Sequence, residues 1–179
     1  MSRALELLRG GRWRCHSCEL EHQGMFDLGA PAPWHWEGQA PVEPNSALRL
    51  NGDFLSPDYC VIGGRDFFVR GLLFIPVIGL DDQFAFGCWS TLSRANFESY
   101  VAHADGIRLD EPWTGWFSNE FEPYLGTVNM PCWVMPQPGG DRPDIWLDDE
   151  DHPLSIAQRD GITPEQLIDI YGRHGHAVG

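Results

Sequence analysis

Positive charge is scarce in this chain. Twelve Lys and Arg residues stand against 26 Asp and Glu, which leaves a formal net charge of −14 and a pI near 4.7. Non-specific binding to nucleic acid or to an anionic membrane needs a basic surface, so neither is expected as a partner. An acidic surface usually serves solubility, and less often docks a basic protein. Long apolar runs are missing as well. No stretch reaches the roughly 18 apolar residues of a membrane span, and the opening MSRALELLRGG lacks the continuous apolar core of a secretory signal. Cysteine is sparse and odd in number: five residues, widely spaced except for one pair, do not make a disulfide framework. These absences predict a cytosolic protein with reduced thiols. Neither a phosphate-binding glycine loop nor a Gly-x-Ser-x-Gly elbow occurs, and spacing alone assembles no Ser/His/Asp or paired-carboxylate site.

What the chain does have is core material. Hydrophobic residues make up 42% and aromatics 12%, with eight Trp, a composition that argues against disorder. Its 179 residues fit one domain, 1–179, with no composition shift that would mark a second. Residues 2–9 read either as a short helix ended by Gly10-Gly11 or as a loose N-terminal segment.

The stretch from Asp58 to Leu92 organises the rest. Three apolar runs rich in β-branched and aromatic residues are separated by Gly63-Gly64 and by Gly79-Leu80-Asp81-Asp82. Turns this short force antiparallel pairing. The middle run is apolar on both faces, Phe67, Val69, Leu73, Ile75 and Val77 on one and Phe68, Leu72, Phe74 and Ile78 on the other. It therefore reads as a central strand covered on both sides. The predicted fold is a single α+β domain, mainly antiparallel, with a meander at 58–92 covered by a few helices and Trp-rich loops.

Flanking segments follow from local signals. Pro31, Pro33, Pro41 and Pro44 with Trp34 and Trp36 suggest an irregular wrap whose indoles seal one side of the sheet. Leu48–Leu50 reads as an edge strand or a helix end. Ser93 caps a helix to about Ala104, stopped by Gly106. Trp113 to Tyr124 is a loop-rich aromatic stretch, Thr127–Met135 an edge strand interrupted by Pro131, and Ile145–Leu147 a short strand. The run Asp148–Asp151 lacks calcium-loop spacing and reads as solvated. Thr163-Pro164-Glu165-Gln166 opens a C-terminal helix with a capping box, which Gly172 closes. Arg70, the one charge in the central strand, is expected to pair with Asp58 or Asp66.

Chemistry concentrates at Cys15, Cys18 and His22. Two thiolates three residues apart can grip one tetrahedral ion from a tight loop, and a His four residues on can reach it. The rival readings are reduced thiols in a packed turn and a redox pair, the latter wanting a preceding strand and a following helix. Glycine normally follows the second Cys of such a knuckle because it accepts positive φ; here that residue is Glu19. For a fourth zinc ligand, His174 is selected. It lies two residues beyond the expected helix break at Gly172, whereas His176 sits nearer the chain end, Cys60 lies inside a strand, and His152 has a local capping role available. Cys60, Cys88 and Cys132 read as small core residues. Arg142 and Arg159 with Asp151 frame either an anion or peptide pocket or ordinary surface pairs.

The order of these motifs resembles the bacterial domain-of-unknown-function family 2199, over nearly the whole chain (12–179). The resemblance is carried by Cys15-x-x-Cys18-x-x-x-His22, Asp58-Tyr59-Cys60-Val61-Ile62, Phe67-Phe68-Val69-Arg70-Gly71, Ile75-Pro76-Val77 and Gly87-x-Trp89 with Leu92-Ser93. Arg142-Pro143, Asp151-His152-Pro153-Leu154 and Gln158-Arg159-x-Gly161-Ile162-Thr163 complete it. Departures are Glu19 where the family has Gly, apolar Phe74 in place of an acid, and no basic residue or His at 131–137. The resemblance implies no activity. Three function classes stay open: a binding or interaction module with one structural zinc, a metal-dependent enzyme with a water in the fourth position and Glu19 or Glu21 as base, and an acidic inhibitor or immunity-type protein for a basic partner.

Overall fold

Glycine turns in the middle of the chain fold it into a meander, and the other elements assemble around that unit. The computed structural model describes residues 2–38, 40–103 and 112–178. The first half of the chain carries α1 (Arg3–Leu8), β1 (Arg12–Arg14), β2 (Glu21–Gln23), β3 (Leu28–Gly29), β4 (Phe54–Leu55), β5 (Tyr59–Ile62), β6 (Asp66–Pro76) and β7 (Gln83–Leu92). After these come α2 (Arg94–Ala102), β8 (Trp113–Trp116), β9 (Pro131–Met135), β10 (Asp144–Leu147), α3 (Pro153–Asp160) and α4 (Pro164–Arg173).

The meander is β5–β6–β7, antiparallel throughout, as the turn lengths require. Gly63 and Gly64 sit at φ 59° and 66°, the left-handed values that a tight hairpin demands and that glycine adopts without steric cost. The main sheet runs β3-β7-β6-β10-β9-β8, with β5 and then β4 beside the first half of β6. Among the described residues the parallel contacts are short, β3–β7, β6–β10 and a single Val77–Ile162 bridge, so the mainly antiparallel α+β fold stands. Beyond β8 the sheet curls back on itself: Phe117 bridges Ser90 of β7, and the Ser118 amide donates to the Trp89 carbonyl.

One face of the meander carries the core. Phe67, Val69, Leu73 and Ile75 of β6 and Phe84, Phe86 and Cys88 of β7 are buried with Phe97 of α2, Leu154 of α3, and Leu167, Ile170 and Tyr171 of α4. Each large side chain fully buried here contributes about 1.5–3 kcal/mol. The opposite face corrects the two-sided expectation. Phe68 and Trp89 are sealed there with Leu55 and Cys60, against Ala30, Ala32 and Trp36, but among the described residues no helix residue joins this second cluster. Leu72 and Phe74 are half-buried and Ile78 is 57% exposed. The proline-rich wrap covers half the strand because every helix packs on the other side; Trp36 seals as expected, while Trp34 is exposed.

Other expectations need adjustment. Residues 113–116, expected as loop, form β8. The strand expected from Thr127 begins only at Pro131, because Asn129 takes φ 64° in a preceding turn. Leu48–Leu50 is neither strand nor helix end; a 3-10 turn covers Asn45–Ala47 instead. Ser93 caps α2 as expected, and the helix ends at Ala102 with His103 as its C-cap; Ala104 and Gly106, its expected end and stop, lie outside the described residues. Arg70 pairs with neither Asp58 nor Asp66 among the described residues. Asp58 is taken by Arg142 (Nε–Oδ1 2.8 Å), the Arg70 Nε is buried without a partner, and burial followed by repulsion from Arg142 pulls the Arg70 pKa down. Among the described residues no helix is long and apolar enough to cross a membrane.

Gly71 marks the tightest contact of the meander with β10. A β-carbon there would lie 2.6 Å from Ile145 Cγ1 and 2.7 Å from the Pro143 carbonyl oxygen. Overpacking of this kind costs about 1–3 kcal/mol. Gly71→Ala should therefore lower the urea midpoint without changing the slope of the unfolding transition; an unchanged midpoint would show that β10 can move away freely.

Candidate metal centre

Cys15 begins where β1 ends, and the hairpin β1–β2 makes the knuckle. Its ladder pairs Arg12 with Gln23, Trp13 with His22 and Arg14 with Glu21, and the Cys15 amide extends it by donating to the Leu20 carbonyl. The turn between them closes with the Glu19 amide on the Cys15 carbonyl (3.1 Å), and Glu19 adopts φ 59°. The left-handed residue that the sequence pattern calls for is thus present, in a side chain for which it costs roughly 1–2 kcal/mol. Because a strand rather than a helix follows the second cysteine, the context of a thioredoxin-type redox pair is absent.

The thiols sit differently from the other cysteines. The Cys15 Sγ is buried and accepts hydrogen bonds from the amides of Ser17 and Cys18, both 3.3 Å. Burial alone would raise its pKa, but these amides stabilise the thiolate enough to lower it overall. Burial pushes Cys60 and Cys132 up to about 12 and Cys88 well above its ordinary value. Those three are protonated core residues, as expected. All five cysteines are free.

The fourth group that the structure brings to the candidate cluster is His176, and the selected His174 is not among its members. The capping box at Thr163 starts α4 as expected, but the helix runs through Gly172 to Arg173, with His174 as its C-cap. The left-handed break comes at Gly175, φ 81°. The turn is thereby displaced along the chain. His174 stays against the helix end, its Nε2 2.9 Å from the Glu122 carbonyl and its ring near Phe86 and Phe121. The residues after Gly175 run beside the knuckle: the His16 amide donates to the Ala177 carbonyl, and Cys15 and Val178 form an antiparallel bridge. The tail is thus held against the knuckle by one bridge and one backbone hydrogen bond.

One donor atom from each of Cys15, Cys18, His22 and His176 lies within 4.8 Å of all the others, and Cys18 Sγ is 3.3 Å from His22 Nε2. Zinc bonds of about 2.3 Å to sulfur and about 2.0–2.1 Å to nitrogen put tetrahedral neighbours about 3.4–3.8 Å apart. The set needs to close by only about 1 Å. Aromatic rings hold the imidazoles. His22 stacks on Phe26 (4.6 Å, 15°), Phe26 stacks on Tyr171 (4.2 Å, 4°), and His176 meets His22 and Phe26 edge-on at 5.2 Å. The Tyr171 hydroxyl donates to the Phe26 carbonyl and accepts from its amide, fixing the stack to α4. The His176 Nδ1 is buried without a partner; burial, then His22 and His174, lower its pKa and keep the ring neutral, the form that ligates metal.

Residues 14–162 match the family DUF2199, described as uncharacterized protein conserved in bacteria. The chain belongs to that family. The matched span holds three donors, Cys15, Cys18 and His22, and ends before α4 and His176. Neither the curated proteins nor the solved structures contain a match to this DUF2199 chain. Its other singled-out residues have structural explanations. His152 caps α3, Nδ1 accepting from the Leu154 amide. Arg159 pairs with its neighbour Asp160, so Arg142, Arg159 and Asp151 do not form one pocket.

Glu19 provides a direct test of the knuckle. Its side chain is exposed and its backbone left-handed. Glu19→Gly should relieve the strain, less the added freedom of the unfolded glycine, for a net gain of up to about 1 kcal/mol. Thermal denaturation checks this; a loss of stability would mean that the turn differs from the one described.

Proposed function

We propose that this DUF2199 protein is a cytosolic binding module in which one structural Zn²⁺ ion, held by Cys15, Cys18, His22 and His176, ties the C-terminal tail to the N-terminal hairpin. The observation that carries the reading is the convergence of two sulfur and two nitrogen donors within 4.8 Å of one another, a donor set that matches closed structural zinc sites. A catalytic site would keep one position for water. Here His176 fills it, and Glu21, a candidate base, is at the surface beside Arg12 (3.4 Å). This favours the structural over the enzymatic role. Metal binding of this kind adds to folding free energy, since the four donors are brought together only in the folded chain.

Metal analysis of untagged protein should return one zinc per chain, and chelation should lower the melting temperature without abolishing the folded core, which the metal does not hold alone. His176→Ala should lose zinc to a competing chelator at concentrations where His174→Ala retains it. Cobalt(II) should give the visible bands of a tetrahedral sulfur and nitrogen site. Protein purified without zinc that also fails to take up cobalt would overturn the reading, as would a His176→Ala variant that binds like wild type.

A further inference from the structure

β6 changes neighbours halfway along its length, and the change opens a cleft. β5 pairs with it only from Asp66 to Val69, and β10 joins at Leu72, where the Leu72 amide donates to the Pro143 carbonyl. Between the two partners lies a cavity of about 730 Å³, a volume in the range of small-molecule sites. Its walls come from distant parts of the chain. Leu72 and Phe74 form an apolar side, Tyr59 and Tyr100 an aromatic one, and Asp58, Arg142 and Asp144 supply charge. Sheets commonly bind ligands where strand neighbours change, because the diverging backbones leave a crevice lined by strand ends.

The groups that lack partners indicate the ligand. Arg142 is occupied by Asp58, with Asn45 Nδ2 donating to the other Asp58 oxygen at 2.7 Å. Asp144 is half-buried, and its carboxylate has no hydrogen-bond or ion partner among the described residues. The hydroxyls of Tyr59 and Tyr100, whose rings meet edge-on at 6.2 Å, are likewise without partners among them. Among the described residues three carboxylates, those of Asp58, Asp141 and Asp144, line the cleft against one guanidinium, that of Arg142. The charge left to satisfy is therefore negative. Among the described residues the acids do not converge tightly enough to hold a metal ion. Two tyrosine rings and a half-buried carboxylate beside an apolar wall suit an organic cation, through an ion pair, hydroxyl acceptors and ring faces together.

The geometry points to a binding site for a small organic cation, an alkylammonium or alkylguanidinium group, with Asp144 as its counter-ion and Tyr59 and Tyr100 as its aromatic wall. Burial raises the Asp144 pKa in the free protein, the mark of a carboxylate whose charge is left uncompensated there. Asp144→Asn should therefore fold at least as well as the wild type. The cleft shares no residue with the proposed zinc centre, so the two readings stand or fall separately.

Titration calorimetry and NMR on the full chain, with butylammonium, butylguanidinium and butyrate as probes, test the site. At least one cation should bind saturably in the millimolar range usual for so small a fragment, shifting the resonances of Tyr59 and Tyr100, while butyrate should not. Asp144→Asn should weaken binding at least tenfold at unchanged melting temperature and zinc content. Tyr100→Phe should weaken it several-fold, and Glu150→Gln, on an exposed loop, should leave it unchanged. Equal binding of butyrate, an Asp144→Asn variant that binds as well as wild type, or no saturable binding of either cation would overturn the proposal.

Discussion

The ladder between β6 and β7 is the interaction on which the rest of the structure depends. It pairs ten residues of β6, Phe67 to Pro76, with Leu92 to Gln83, and so fixes which side chains of both strands share a face. A slip of one residue would exchange the core set, Phe67, Val69, Leu73 and Ile75, for Phe68, Arg70, Leu72 and Phe74. Arg70 would then enter the core with no carboxylate to meet it, at a cost of several kcal/mol. This charge, without an ion partner among the described residues, thereby helps to enforce the register.

Length mismatch around this ladder decides the remaining architecture. β6 has 11 residues and β7 has 10, but β5 has only four. The unpaired half of the β6 edge must find another partner, since open ladder groups left dry are costly. β10 supplies a contact at Leu72 and Ile162 another at Val77, and the chain after β8 returns to β7 at Ser90, so the sheet's two sides are joined through Phe117. The cleft at Asp144 is the gap left between two partners that do not meet.

At the other end of the molecule the two chain ends are held through a few residues. α1 packs on α4 with Leu8 buried, the tail adds a bridge at Cys15, and Tyr171 fixes Phe26 by two hydrogen bonds. The imidazoles of His22 and His176 are positioned by this aromatic packing as well as by the backbone. Preorganisation of that kind limits the ordering that a bound ion would have to impose.

Local chemistry made much of this legible in the amino-acid order. The Gly63-Gly64 turn, the Ser93 and Thr163 caps, and the alternation of 58–92 each specify an element through near neighbours, and the antiparallel meander follows from turn length alone. Cys15, Cys18 and His22 were readable as a candidate ligand set because their spacing is local. His176 was not, because its placement depends on where α4 stops: Gly172 can be helical when Leu167, Ile170 and Tyr171 are anchored in the core, and the break then passes to Gly175. Asp58, Tyr59, Tyr100 and Asp144 carry no shared local signal, being brought together only by a change of strand partner. The sequence by itself determined the strands of the meander, their order and three members of the candidate cluster, all matters of short-range sterics and periodicity. The tertiary structure alone decided the fourth donor, the half-covered face of β6 and the cleft, because each depends on packing between segments far apart in the chain.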